Sequence, residues 1–325
     1  MRRKQNKESF AYYAKILFVI SVAFLGYGTF LQFFHNSKLN NYNEVIIPTN
    51  DGAVSVTPYD GIVSIDVDDN SQTDNRMKDD DSSSIIDIPS IDDANAILKN
   101  ELQSIYHINI LYGDETIGYN VMSEGSKIGT LPIVDSFIIN KQLLALKNVL
   151  ELYPAGIFQE ISDGGIPLTI ILIQQYDDKR ITGITDSSNN YARISIASIY
   201  PFEESFFHES YHYIERYLLK KGAKFTSWES FNPAYFKWGV IYNNLAYSTT
   251  FSADAYFVNT YAQTSAAEDR ASTFEYMMAS SKASCLNTGT VVWSKADYMS
   301  RMIRYVLKSV QILNHRQVKW EQYLY

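Results

Sequence analysis

The stretch F-F-H-E-S-Y-H-Y-I-E-R-Y, Phe206 to Tyr217, decides how this chain is read. It contains His208, Glu209 and His212 in the pattern H-E-x-x-H. On an α-helix, residues four apart lie about 40° apart around the axis and about 6 Å along it. Two imidazoles placed so face the same way, and both can reach one zinc ion at about 2.1 Å. Glu209, one residue on from the first histidine, stands beside such a metal rather than on it. From there a carboxylate can take a proton from a zinc-bound water and pass it to a leaving amine. The chain has only five histidines, His35, His107, His208, His212 and His315, so the pairing does not follow from abundance. Phe207, Tyr211, Ile214 and Leu218 form an apolar stripe on the same helix, which makes it a core helix as well.

A catalytic zinc needs a third protein ligand and an open fourth position. No third histidine follows at the spacing H-E-x-x-H-x-x-G-x-x-H: positions 215 and 218 hold Glu215 and Leu218. His315 is far along the chain. The expectation is a carboxylate on a later helix, and the segment Tyr261 to Met278 offers Glu268, Asp269 and Glu275. Ser265-x-x-Glu268 also has the form of a capping box, in which Glu268 would only cap its own helix. Asp269 could steady a ligand histidine instead of binding metal. Glu275 lies two turns beyond Glu268 on roughly the same face, and is the second candidate ligand.

H-E-x-x-H followed by Y-A-x-T-S-x-x-E-D-x-A-x-x-F-E (Tyr261 to Glu275) resembles the gluzincin metallopeptidases of bacteria. The nearest branch is the zinc-binding peptidases of the anthrax lethal factor-like and Pro-Pro endopeptidase-like group. The resemblance spans roughly residues 95 to 325, with its specific motifs in two short segments. It implies a zincin-like domain, bound Zn²⁺ and hydrolysis of peptide bonds. It also implies that Glu268 is the third ligand and that Tyr261, seven residues earlier, donates to the oxyanion. One departure stands out: a thermolysin-like E-x-x-x-D would put Asp at position 272, where this chain has Ser272. The carboxylate that steadies a ligand histidine is then Asp269 or lies elsewhere. In zincins the strand before the zinc helix often forms the sheet edge, where an extended peptide can pair. ARISIAS, residues 192 to 198, stands in that position.

Outward from the motif, the chain alternates strand and helix patterns and then turns mostly helical. Residues 94 to 106, 136 to 154 and 294 to 313 have helical spacing; 108 to 113, 167 to 176 and 191 to 200 read as strands. The predicted class is α+β: a zincin-like domain over residues 95 to 325, with a mixed sheet, an active-site helix and a helical C-terminal half. There is no internal repeat.

The N-terminal part reads differently. Residues 1 to 15 are basic, with Arg2, Arg3, Lys4, Lys7 and Lys15 against Glu8. Ile16 to Phe34 is nineteen residues without a charge, about 28 Å as a helix and enough to cross a bilayer. The positive flank predicts a cytoplasmic N-terminus with the remainder outside. Phe33, Phe34 and His35 supply no small-residue cleavage site, so the expectation is an uncleaved single-pass signal anchor. Residues 35 to 94 read as an acidic, disordered tether. Residues 60 to 94 hold 11 Asp against Arg76 and Lys78, so this segment accounts for the whole net charge of -8. A calcium loop at Asp66, Asp68 and Asn70 is excluded by Ser71 and Met77, where Gly and Glu are required.

Composition excludes other classes. No basic stripe suits nucleic acid. One cysteine, Cys285, permits neither an intramolecular disulfide nor a cysteine-based zinc knuckle. The function expected is a membrane-anchored, extracellular, bacterial zinc metallopeptidase acting on a peptide or protein, with Glu209 as general base. Two alternatives share the anchor and tether: a surface-displayed binding or adhesion module with a vestigial zincin fold, and a zinc amidase acting on cell-wall material.

Overall fold

The computed structural model describes residues 45–49, 52–56, 89–123, 125–245, 255–283 and 286–325. The expected membrane segment, residues 16 to 34, and most of the expected tether lie outside these residues. Among the described residues no helix is long and apolar enough to cross a membrane. The chain divides into two units, residues 1–84 and 85–325.

In the first unit, β1 (Val45–Thr49) and β2 (Gly52–Val56) pair antiparallel, Val45 opposite Val56. The short valine-rich run at 54 to 56 therefore has a strand partner inside the segment read as a tether.

The second unit opens with α1 (Ile91–Tyr106), four residues before the expected start of the domain. Ser90 sets the start. Its hydroxyl accepts from the Asp93 N–H at 3.2 Å, and the Asp93 carboxylate accepts from the Ser90 N–H at 3.3 Å. Asp92 and Asp93, counted with the tether, thus sit in a helical first turn, where the dipole favours negative charge. Next come β3 (Asn109–Leu111), the hairpin β4 (Asn120–Ser123) and β5 (Ser126–Pro132), and α2 (Ser136–Leu150). They are followed by α3 (Ile157–Asp163), β6 (Leu168–Tyr176), β7 (Gly183–Ser187) and β8 (Ala192–Ala197). The remainder is helical: α4 (Phe202–Lys220), α5 (Ala266–Met278), α6 (Ser280–Ala283), α7 (Val291–Val306) and α8 (Lys308–Gln311).

The sheet is mixed and its strand order is β4-β5-β6-β8-β7. β6 is central. It pairs parallel with β8 along one side; on the other it pairs parallel with β3 through Thr169 to Ile171 and antiparallel with β5 through Ile173 to Tyr176. Strand side chains alternate between faces. Leu168, Ile170 and Leu172 join the large core beneath the helices, while Ile171, Ile173 and Tyr176 join a smaller core with Val121 of the hairpin. Burial on both faces explains why residues 167 to 176 form a near-continuous apolar run.

β8 corrects one expectation. The strand before the zinc-motif helix lies inside the sheet, paired with β6 on one side and β7 on the other. Both of its faces are covered as well, with Ala192, Ile194 and Ile196 buried toward the helices and Ser195 and Ala197 on the opposite face. The edge strand at that end is β7, whose five residues are all half-buried. The expected helix at 294 to 313 is also divided: it starts at Val291 and breaks at Leu307. The break is held from a distance, since the Glu160 carboxylate accepts from the N–H groups of Lys308 and Ser309 at 2.9 and 2.8 Å.

Candidate metal centre

α4 carries the motif between the sheet and α5. Glu203 and Glu204 occupy its first turn and Lys220 its last, each favoured by the dipole at that end. The expected stripe of Phe207, Tyr211, Ile214 and Leu218 is buried, and so are Phe206, Tyr213 and Tyr217. Burying each such side chain contributes about 1.5–3 kcal/mol. The helix has core on two sides, and its polar motif is aimed at what remains: His208 and Glu209 are 9% and 8% exposed.

One contact fixes α5 against α4, and a second ties it to Trp228 and to Lys295 of α7. Arg270 makes an ion pair with Glu215 and lies over the rings of Phe225 and Trp228, 4.7 and 5.7 Å from their centroids. Asp269, fully buried, accepts from Trp228 Nε1 at 2.8 Å and pairs with Lys295 Nζ at 2.7 Å. Lys295 also donates to the Tyr256 carbonyl at 2.7 Å. Asp269 therefore does not steady a ligand histidine. One step of about 100° around the helix turns it from the neighbouring Glu268 face into the core.

Glu268 faces the histidines. Its Oε2 is 2.9 Å from His208 Nε2 and 3.6 Å from His212 Nε2. One ligand atom from each of His208, His212 and Glu268 lies within 4.8 Å of the other two. Ligands about 2.1 Å from a tetrahedral zinc stand about 3.4 Å apart, so both carboxylate–imidazole distances suit a shared ion. Two imidazoles and one carboxylate are a catalytic zinc donor set, and three protein ligands leave a fourth position open. The capping alternative is answered by the same geometry. Ser265 Oγ accepts from the Glu268 main-chain N–H at 3.1 Å, while the carboxylate of Glu268 is turned to the imidazoles.

Glu275, the second candidate ligand, meets His208 on the other side of the ring. Its Oε2 is 3.5 Å from Nδ1, and its Oε1 is 2.6 Å from Lys282 Nζ. Burial alone would lower the His208 pKa, but Glu268 and then Glu275 reverse this and push it up to about 10. Burial would raise Glu268, and the two histidines outweigh it and hold the carboxyl well below the usual range. Glu275 is likewise held low, against burial, by His208 and Lys282.

Glu209 lies next to β7. The Thr185 hydroxyl donates to the Glu209 main-chain carbonyl at 2.8 Å, and Gly183 faces the Glu209 side chain. Tyr261 opens a 3₁₀ turn, Tyr261–Gln263, on the rim. The residue is 55% exposed, and its ring centroid is 5.8 Å from that of His208. The turn is pinned by Gln263, which is fully buried: its Oε1 accepts from Tyr242 N at 2.6 Å, and its Nε2 donates to Tyr242 O at 3.0 Å. Reading the sequence missed Gly183, Thr185 and Lys282. None carries a local signal, because each reaches the site through the sheet or a neighbouring helix.

No protein-family model matches the sequence, and no curated protein matches it. Among solved structures the chain is similar to one from Bacteroides caccae, described as a "putative zinc-binding metallo-peptidase". The likeness has 13% sequence identity and a TM-score of 0.46, and covers 74% of this chain and 94% of that one.

Proposed function

We propose that this chain is a zinc-dependent metallopeptidase of the gluzincin type, carried on the outer face of a membrane by its N-terminal segment. The observation that carries the reading is the convergence of His208, His212 and Glu268 within 4.8 Å, with Glu209 next in sequence to the first ligand. In this reading the two histidines and Glu268 hold zinc. Zinc, when bound, polarises the scissile carbonyl and lowers the pKa of the attacking water. Glu209 takes the proton from that water and delivers it to the leaving amine nitrogen as the C–N bond breaks. Tyr261, on the rim beside His208, donates a hydrogen bond to the oxygen on which negative charge develops.

The sheet favours an extended peptide as substrate over the alternatives. β7 ends the sheet and starts, at Gly183, against Glu209. A peptide added along its outer edge gains main-chain hydrogen bonds without any side-chain requirement. The membrane anchor rests on the uncharged run of residues 16 to 34 and the basic residues before it.

The experiment is metal analysis and peptide hydrolysis on the intact purified chain, with Glu209→Gln beside it. The expected result is one zinc per chain in both proteins, with hydrolysis lost in the variant. An undiminished rate in Glu209→Gln would overturn the mechanism. A chain that takes up no zinc would overturn the metal reading and favour a binding module.

A further inference from the structure

A histidine that binds zinc through one ring nitrogen needs an acceptor on the other, which fixes its tautomer and the plane of its ring. Resemblance offers position 272 for that acceptor, and here position 272 cannot serve. Ser272 is fully buried and its hydroxyl has no hydrogen-bond partner. Asp269 is committed to Lys295 and Trp228.

We propose that Glu275 is the positioning residue for His208, and that Lys282 holds Glu275 in place. The inference rests on the zinc reading above. Glu268 and Glu275 are seven residues apart on α5, two turns, so their side chains leave the same face about 10 Å apart along the axis. The His208 ring lies between them, with Nε2 toward Glu268 and Nδ1 toward Glu275. The Nδ1–Oε2 distance of 3.5 Å is ion-pair range, and closing it by about 0.5 Å makes a charge-assisted hydrogen bond.

Glu275 is itself constrained. Its side chain is 12% exposed, and its second oxygen is 2.6 Å from Lys282 Nζ. Lys282 also reaches Glu204 Oε2 at 2.9 Å, in the first turn of α4. The chain of contacts therefore runs from the start of the zinc helix through Lys282 and Glu275 and back to that helix at His208. A carboxylate with one oxygen on an ammonium and the other on an imidazole has little freedom to swing. Glu275 stands two turns from Glu268, in place of the one turn that would put the acceptor at position 272.

The test is zinc affinity of the intact chain by competition with a chelating dye, for wild type, Glu275→Ala, Glu275→Gln, Lys282→Met and His208→Ala. Removing a partner of this kind costs about 10–100-fold in metal affinity. Glu275→Ala should fall in that range, and Glu275→Gln, which keeps an acceptor oxygen, should recover much of the loss. Lys282→Met should show a smaller loss. Cobalt-loaded Glu275→Ala should keep the visible spectrum of cobalt-loaded wild type, because the ligand set is unchanged. Thermal unfolding in excess chelator separates these effects from misfolding, and Glu275→Gln preserves the buried shape. Unchanged zinc affinity in Glu275→Ala overturns the proposal and leaves the metal reading intact. A loss as complete as that of His208→Ala, with an altered cobalt spectrum, also overturns it by making Glu275 a ligand. A wild type that binds no zinc removes both readings together.

Discussion

Gly183 faces Glu209 so closely that a Cβ on residue 183 would stand 2.8 Å from Glu209 Cγ and 3.3 Å from its Oε1. The backbone of Gly183 is not in the left-handed region, so the glycine is needed for space rather than for conformation. Gly183→Ala should leave the main chain in place and push aside the Glu209 carboxylate, the proposed general base. A displacement of about 1 Å at a reacting group costs about 100-fold in rate. The expected outcome is a kcat lowered to that extent with zinc content unchanged, measured by steady-state hydrolysis and metal analysis on one preparation. An unaltered kcat would mean that Glu209 does its work from another position.

Tyr261 contributes a hydroxyl and no metal bond in this scheme. Tyr261→Phe should lower kcat by about 100-fold or more, the usual cost of losing an oxyanion donor. KM and bound zinc should change little. If KM rises and kcat holds, the hydroxyl binds substrate equally in ground and transition states and does not stabilise the oxyanion.

In the proposed reading, proton and zinc compete for His208. Its pKa is pushed up to about 10 against burial by Glu268 and Glu275, so with zinc removed by chelator the site is protonated at neutral pH. Zinc must displace that proton, and apparent affinity should rise about tenfold per pH unit between pH 7 and 9. The stability of chelator-treated protein runs the other way. A histidine whose folded pKa exceeds its unfolded value of about 6.5 contributes fully below that pH and loses its contribution as pH climbs toward 10. Melting temperature in chelator should fall across this window. His208→Gln should flatten the fall; an identical slope in the variant would assign it to other groups.

The buried pair Asp269–Lys295 stands one residue from Glu268, the proposed third ligand, and has no place in the proposed chemistry. Burial raises the Asp269 carboxyl and lowers the Lys295 amine, each opposed by the other's charge. Lys295→Met leaves the carboxylate with Trp228 alone and should cost about 3–5 kcal/mol. The double change Asp269→Asn with Lys295→Met should restore most of that loss in denaturant titrations. Failure of the second change to compensate would show that Lys295 matters for its packing over Phe257 and not for its charge.

What the sequence made legible was local. His208, Glu209 and His212 could be placed by helix geometry alone, and Glu268 came with the motif that contains it. The central strand was readable because burial on both faces leaves an apolar run. The same reasoning failed for β7, since Gly183 to Ser187 is short, half-buried and without alternation. It failed for Asp269 because its partner, Lys295, is 26 residues away and on another helix. β8 was read correctly as a strand and wrongly as an edge: pairing order is decided by what folds across the sheet. The break at Leu307 escaped notice because its cap, Glu160, is 148 residues earlier.

Trp320 has a bearing on how the protein is made. Its buried ring packs against Phe274 of α5 at 5.5 Å between centroids and against Tyr153 at 6.3 Å, and Tyr153 in turn contacts Ser210 of α4. A polypeptide emerges from the ribosome N-terminus first, so His208, His212 and Glu268 are all synthesised before the residue that completes the packing behind them. The backing of these three side chains is therefore complete only after residue 320 has been made, and a chain interrupted before it would carry all three without that support.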